Sequence, residues 1–173
     1  MIRKTALAAA LAFAIPARAV DSVSFETGRG NDDTDLWRAG LQWNWDKKWL
    51  TRRSWTLGAY WDLQLSRWSG NRDAVWDIGL TPVFRLERVQ RSTYVPYIET
   101  GIGFHILSEL GISNERRFST KFQFGDHIGA GVRYGERYRY DVSVRLQHLS
   151  NGGIRRPNPG INFAQLRLAY HFD

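Results

Sequence analysis

The stretch "WTLGAYWDLQLS", Trp55 to Ser66, changes character at every residue. Trp55, Leu57, Ala59, Trp61, Leu63 and Leu65 form one set; Thr56, Gly58, Tyr60, Asp62, Gln64 and Ser66 form the other. Successive side chains of a strand point to opposite faces, so the segment reads as a strand with one bulky apolar face and one polar or small face. A helix would scatter both sets around its axis.

The same period of two continues outward in both directions. Trp37, Ala39, Leu41, Trp43 and Trp45 alternate with Arg38, Gly40, Gln42 and Asn44. Further runs are Trp76 to Phe84, Ile98 to Phe104, Phe122 to Tyr134, Val142 to Ser150 and Leu166 to Phe172, with a shorter one at Val23 and Phe25. The pattern predicts eight strands. "DKKWLTRRS", "ERVQRST" and "GERYR" connect them at one end, and "GRGNDD", "RWSGNRD", "ILSELGISNERRFS" and "NGGIRRPNPG" at the other. The fold class is all-β, an eight-stranded antiparallel up-and-down barrel.

Residues 1–19 read as an export signal: Arg3 and Lys4, an apolar run from Thr5 to Ile15, then the small-x-small site Ala17-Arg18-Ala19. Residues 20–173 then form the barrel domain. The formal charge is +7, but the leader carries three of the positive charges and no acid, which leaves about +4. Nucleic acid is a poor partner for an exported chain with no long basic cluster. The chain has no cysteine, which excludes disulfides and thiol nucleophiles.

Which face looks outward is decided by the small residues. Gly40, Gly58, Gly79, Gly101, Gly103, Gly129 and Gly131 all fall on the polar side. An eight-stranded barrel has a narrow interior, where small residues make room for large polar ones. That side also holds Asp62, Asp77, Glu99, Arg133, Arg145 and Arg167, which can neutralise one another inside. A bulky, aromatic outer face is the outer-membrane pattern. The rival is a soluble ligand-binding barrel with the apolar face inward.

"VSVRLQHLSNGGIRRPNPG", Val142 to Gly160, then breaks the rule. Val142, Val144 and Leu146 set the lipid-facing side, and the next two places on it are His148 and Ser150. With the N-terminus on the periplasmic side, both sit at the level of the outer leaflet. Positions i and i+2 are roughly 7 Å apart, a spacing across which an imidazole and a hydroxyl can pair as base and nucleophile. Asp126 and Asn162 occupy the same face on the flanking strands. Polar groups at membrane depth are costly, so four converging on three strands point to a site.

"QHLSNGGIRRPNPGINF", "FGDHIGAGVRYG" and "AGLQWNWDKKW" resemble the lipid A 3-O-deacylases, the PagL family of outer-membrane barrels. The resemblance implies Ser150 as nucleophile and His148 as general base. It implies Asn151, by its side chain, and Gly153, by its N–H, as oxyanion donors, with Asp126 beside the site. Asn162 stands where the family has a glutamate that orients the histidine. The implied reaction is hydrolysis of the 3-position ester of lipid A, the lipopolysaccharide anchor, without a cofactor. Arg116, Arg117, Arg155 and Arg156 are candidate contacts for lipid A phosphates. His105 and His127 face inward and read as hydrogen-bonded filling rather than a metal pair. The sequence leaves a homodimer as open as a monomer, and a non-catalytic structural or adhesive barrel is the alternative function.

Overall fold

In the computed structural model the described residues are 20–52, 54–70, 74–88, 92–113 and 116–172. The expected signal segment lies outside them. The strands are β1 (Ser22–Gly30), β2 (Asp35–Asn44), β3 (Trp49–Arg52), β4 (Trp55–Ser69), β5 (Val75–Arg88), β6 (Tyr94–Leu107), β7 (Phe122–Tyr134), β8 (Tyr140–Ser150) and β9 (Ile161–His171). Eight of them close a ring in which neighbours in sequence pair antiparallel, with β9 returning to β1. β3 stands outside this ring. Among the described residues it pairs only with β4, through Trp49 opposite Leu57 and Arg52 opposite Trp55, so part of the predicted "DKKWLTRRS" connection is a short strand. The ring strands run from 9 to 15 residues, enough to cross a bilayer when tilted.

Burial follows the sequence alternation. Leu65, Ile78, Ile102, Ile128, Val144 and Leu166 are exposed on the outer surface, while Glu26, Arg38, Asp62, Glu99, Arg145 and Arg167 are buried inside. Arg145 contacts three carboxylates, Glu26 at 3.0 Å, Asp62 at 3.1 Å and Glu99 at 2.7 Å. Buried charge is tolerated only when paired and hydrogen-bonded, and this network meets that condition at its centre. Glycine notches receive the large interior groups: a Cβ on Gly79 would lie 2.5 Å from His105 Cε1, and one on Gly101 would lie 2.9 Å from His127 Cε1. His105 Nδ1 pairs with Asp77 at 3.0 Å. The Nε2 atoms of both His105 and His127 are buried without a hydrogen-bond partner among the described residues.

Aromatic side chains ring the turn end of the barrel. Trp45, Trp49, Trp61 and Phe84 form one cluster, and Tyr134, Tyr140, Tyr170 and Phe172 form a ladder. Phe104, Phe122 and Phe124 cluster toward the other end. Such rings at both borders of an apolar band mark a membrane-spanning barrel.

At the end with the longer loops the polar interior gives way to an apolar plug. Leu36, Trp68, Val75, Leu107, Leu149, Ile161 and Phe163 point inward from the strand ends, and Ile112 and Phe118 of the 108–121 loop close over them. The sequence shows this as a loss of alternation near the strand ends, as in Leu36-Trp37 and Val75-Trp76.

Cysteines introduced on β8 provide a check on which face is outside. Val144 is 60% exposed and its neighbour Ser143 3%. Val144→Cys is expected to react with a membrane-soluble maleimide in vesicles, and Ser143→Cys to resist it until unfolded. The reverse labelling would put the apolar face inside.

Candidate active site on the lipid-facing surface

The strand register brings three of the predicted residues into one row. Asp126 on β7 lies opposite His148 on β8, and His148 lies opposite Asn162 on β9. All three point outward, because the residues beside them are held inside. Leu149 and Ile161, which follow His148 and precede Asn162, are fully buried in the plug. A strand cannot turn one residue out without turning its neighbour in, so the plug fixes the rim.

His148 Nδ1 lies 2.7 Å from Asn162 Oδ1. An amide oxygen only accepts, so Nδ1 carries the hydrogen and Nε2 is left as the basic nitrogen. Ser150 is two pairs nearer the rim, opposite Phe124. Its hydroxyl has no hydrogen-bond partner among the described residues. Asp126 shares the row without a hydrogen bond to His148. A groove of about 690 Å³ runs down the outer wall from His148, Asn162 and Asp126 past Ile128 and Leu146.

After Ser150 the chain turns sharply. Ile154 N–H donates to the Asn151 carbonyl at 3.2 Å, and the two central residues, Gly152 (φ +62°) and Gly153 (φ +80°), lie in the left-handed region. Only glycine adopts that region without cost, so "NGG" is the sequence of this turn.

The geometry departs from expectation at Asn151. Its side chain is buried, and its Nδ2 donates to Ser119 Oγ at 2.9 Å and to the Arg155 carbonyl at 2.7 Å. Its Oδ1 accepts from the Gly153 N–H at 2.9 Å. Asn151 therefore ties the loop together, and both expected oxyanion donors are engaged. Asn158 lies in the same loop. Its Oδ1 accepts from the Asn151 N–H at 3.0 Å, beside Ser150, while its Nδ2 donates to no group among the described residues. The sequence signal for it is an amide held between two prolines in "PNP".

Arg116 also departs from its expected place. Its guanidinium binds Asp32 in a fork, Nε to Oδ2 at 2.6 Å and Nη2 to Oδ1 at 3.4 Å, and donates from Nη1 to the Pro159 and Gly160 carbonyls. The hydrogen bond from Arg116 holds the Asp32 carboxyl below its ordinary range. Together these bonds occupy four of the five N–H donors of Arg116. Arg117, Arg155 and Arg156 are exposed at the same end.

Fold and site together define a class: a transmembrane β-barrel that carries a polar site on its lipid face. A sequence profile of the lipid A 3-O-deacylase (PagL) family matches residues 36–171, and the chain belongs to that family. It is 38% identical to the lipid A deacylase PagL of Bordetella bronchiseptica over 79% of this chain and 70% of that protein. To the lipid A deacylase PagL of Pseudomonas aeruginosa it is 33% identical over 84% of this chain and 82% of that one. The crystal structure of the outer membrane enzyme PagL superposes with a TM-score of 0.81 at 30% identity, over 87% of this chain and 99% of that one. A de novo designed transmembrane β-barrel, at 13% identity and a TM-score of 0.52, shares the fold alone. The protein is an outer-membrane barrel.

Proposed function

We propose that the protein is a lipid A 3-O-deacylase that works by a serine mechanism at the outer leaflet. The observation that carries this reading is the His148–Asn162 pair on the lipid face, with Ser150 two residues along the same strand. His148 Nε2 removes the Ser150 proton as the hydroxyl oxygen attacks the acyl carbonyl at position 3. Asn158 Nδ2 donates to the developing oxyanion, a contribution of about 3 kcal/mol for one such donor. The imidazolium then protonates the departing sugar oxygen. Water, deprotonated by the same imidazole, releases the 3-hydroxy fatty acid from Ser150.

Ser150 must swing toward Nε2 for the first step. Hydrogen bonds of this kind are often unformed in free enzymes and tighten around substrate. The acyl chain lies in the groove beside Ile128 and Leu146, in continuity with the leaflet, so substrate need not leave the membrane. Arg117, Arg155 and Arg156 meet the lipid A phosphates above the rim.

Mass spectrometry of lipid A from outer membranes with and without the protein provides the test. The expected product has lost one ester-linked 3-hydroxyacyl chain from position 3, with the free 3-hydroxy acid recovered. Unchanged lipid A in membranes holding folded barrel would reject the activity.

A further inference from the structure

Arg116 joins three loops, one of which packs Gly160 against the imidazole of His148. It stands on the 108–121 loop, which is keyed into the barrel by Ile112 and Phe118. Its backbone is held as well: Ser113 Oγ accepts from the Arg116 N–H at 3.0 Å, and the Arg116 carbonyl accepts from the Ile112 N–H at 3.2 Å. From this fixed base the guanidinium reaches Asp32, in the turn between β1 and β2, and the carbonyls of Pro159 and Gly160, just before β9.

Gly160 has φ +59°, and a Cβ there would lie 2.7 Å from His148 Cε1 and 3.3 Å from Nε2. The Gly160 backbone is therefore a wall against the reactive edge of the imidazole. The Asp32 turn supplies a second tie through its neighbour, since Asn31 Oδ1 accepts from the Asn162 N–H at 2.9 Å. The segment from Pro159 to Asn162 thus carries both the wall beside the Cε1–Nε2 edge of His148 and the oxygen that orients it, and it is held from both sides.

Resting on the serine-esterase reading, we propose that Arg116 is a positioning residue. It and Asp32 form a latch that clamps Gly160 and Asn162 around His148 and so sets the direction of Nε2 toward Ser150. The Arg116 side chain is largely covered, and its guanidinium is spent on the Asp32 carboxylate and two backbone carbonyls. A fork that binds a carboxylate on one edge and backbone carbonyls on the other needs the planar, five-donor shape of arginine; lysine offers a single point of donors. Displacements of about 1 Å at a reacting group are enough to cost roughly 100-fold in rate, so a loosened latch reads out in catalysis before it reads out in folding.

The experiment compares Arg116→Ala, Arg116→Lys, Asp32→Ala and the double variant Arg116→Ala/Asp32→Ala in detergent-solubilised full barrel, with folded protein quantified by heat-modifiable gel mobility. Arg67→Ala, a rim arginine outside the site that hydrogen-bonds Ser69, is the control. Two readouts are taken: kcat and KM on purified lipid A, and the rate at which a fluorophosphonate labels Ser150. Arg116→Ala is expected to lower kcat and the labelling rate by roughly 30-fold, with KM changed less than about twofold. Arg116→Lys should recover part of that loss, and the double variant should be no slower than Arg116→Ala, because both residues act in one contact. Arg67→Ala should keep the wild-type rate.

A raised KM with kcat unchanged would overturn the latch and make Arg116 a substrate contact. Wild-type labelling in Arg116→Ala would also overturn it while leaving the serine reading intact. If the unaltered barrel deacylates lipid A but Ser150 is never labelled and Ser150→Ala stays active, the serine reading fails and the latch with it. Should Arg116→Ala not insert, Asp32→Ala carries the test, with a several-fold loss of kcat expected and an unchanged kcat fatal to the proposal.

Discussion

Ser150→Ala is expected to lower deacylation of lipid A by roughly 1,000-fold or more, the scale seen when a serine nucleophile is removed from a catalytic unit. The barrel should insert as before. Ser150 lies outside the apolar plug, its hydroxyl has no hydrogen-bond partner among the described residues, and alanine suits an outward strand position near the rim. Loss of activity with retained heat-modifiable mobility would separate chemistry from folding. KM should hardly move, because the hydroxyl contacts the carbonyl carbon only on the way to the transition state. A variant that still removes the 3-hydroxyacyl chain at a tenth of the normal rate would make water, activated by His148, the nucleophile.

The fold was legible because closure of a barrel leaves each strand residue one of two directions. Trp55 to Ser66 alone shows the period, and the glycines opposite His105 and His127 show which side is crowded. Parity also placed His148, Ser150, Asp126 and Asn162 on one surface, and the register puts three of them in a row. What parity does not encode is loop structure. Asn151 follows the nucleophile and looks like a donor to substrate, yet its amide is turned into the loop to bind Ser119 and Arg155, residues 32 and 4 positions away. Arg116 looks like a phosphate ligand until the 108–121 loop folds over the plug and brings it to Asp32, 84 residues earlier. Both cases concern loop side chains that take at least one partner from a distant loop, where no local period constrains direction.

The plug explains why a site at the edge of a bilayer can be rigid. Loop residues are ordinarily the most mobile part of a barrel. Here Leu149 and Ile161 anchor the strand ends that carry His148, Ser150 and Asn162, and Ile112 with Phe118 anchors the loop that carries Arg116. Apolar burial inside the mouth thus supports polar geometry outside it. The same closure keeps the interior ion network of Arg145, Glu26, Asp62 and Glu99 away from the site, so those charges stabilise the barrel without acting on substrate.

Asn162 offers the sharpest test of how the histidine works. Asn162→Ala removes the acceptor 2.7 Å from His148 Nδ1 and frees the ring to rotate or to take the other tautomer, which would present a hydrogen rather than a lone pair to Ser150. Roughly a 100-fold fall in kcat is expected, less than for loss of a charged orienting carboxylate in other triads, because an amide holds the ring but adds no negative charge. Asn162→Glu should preserve the rate or raise it, since a carboxylate accepts the same hydrogen bond and also stabilises the imidazolium formed as Ser150 attacks. Asp126, two strands away in the same row, sets the limit on that gain. If its carboxylate already lends negative charge to His148, repulsion between it and a second acid in the same row will blunt the effect. Asp126→Asn then becomes damaging in the parent and harmless in Asn162→Glu. The measurement is kcat on lipid A for all four combinations at equal folded barrel. An Asn162→Ala barrel that runs at the wild-type rate while His148→Ala is inactive would remove Asn162 from the mechanism and leave Asp126 as the group that orients the base.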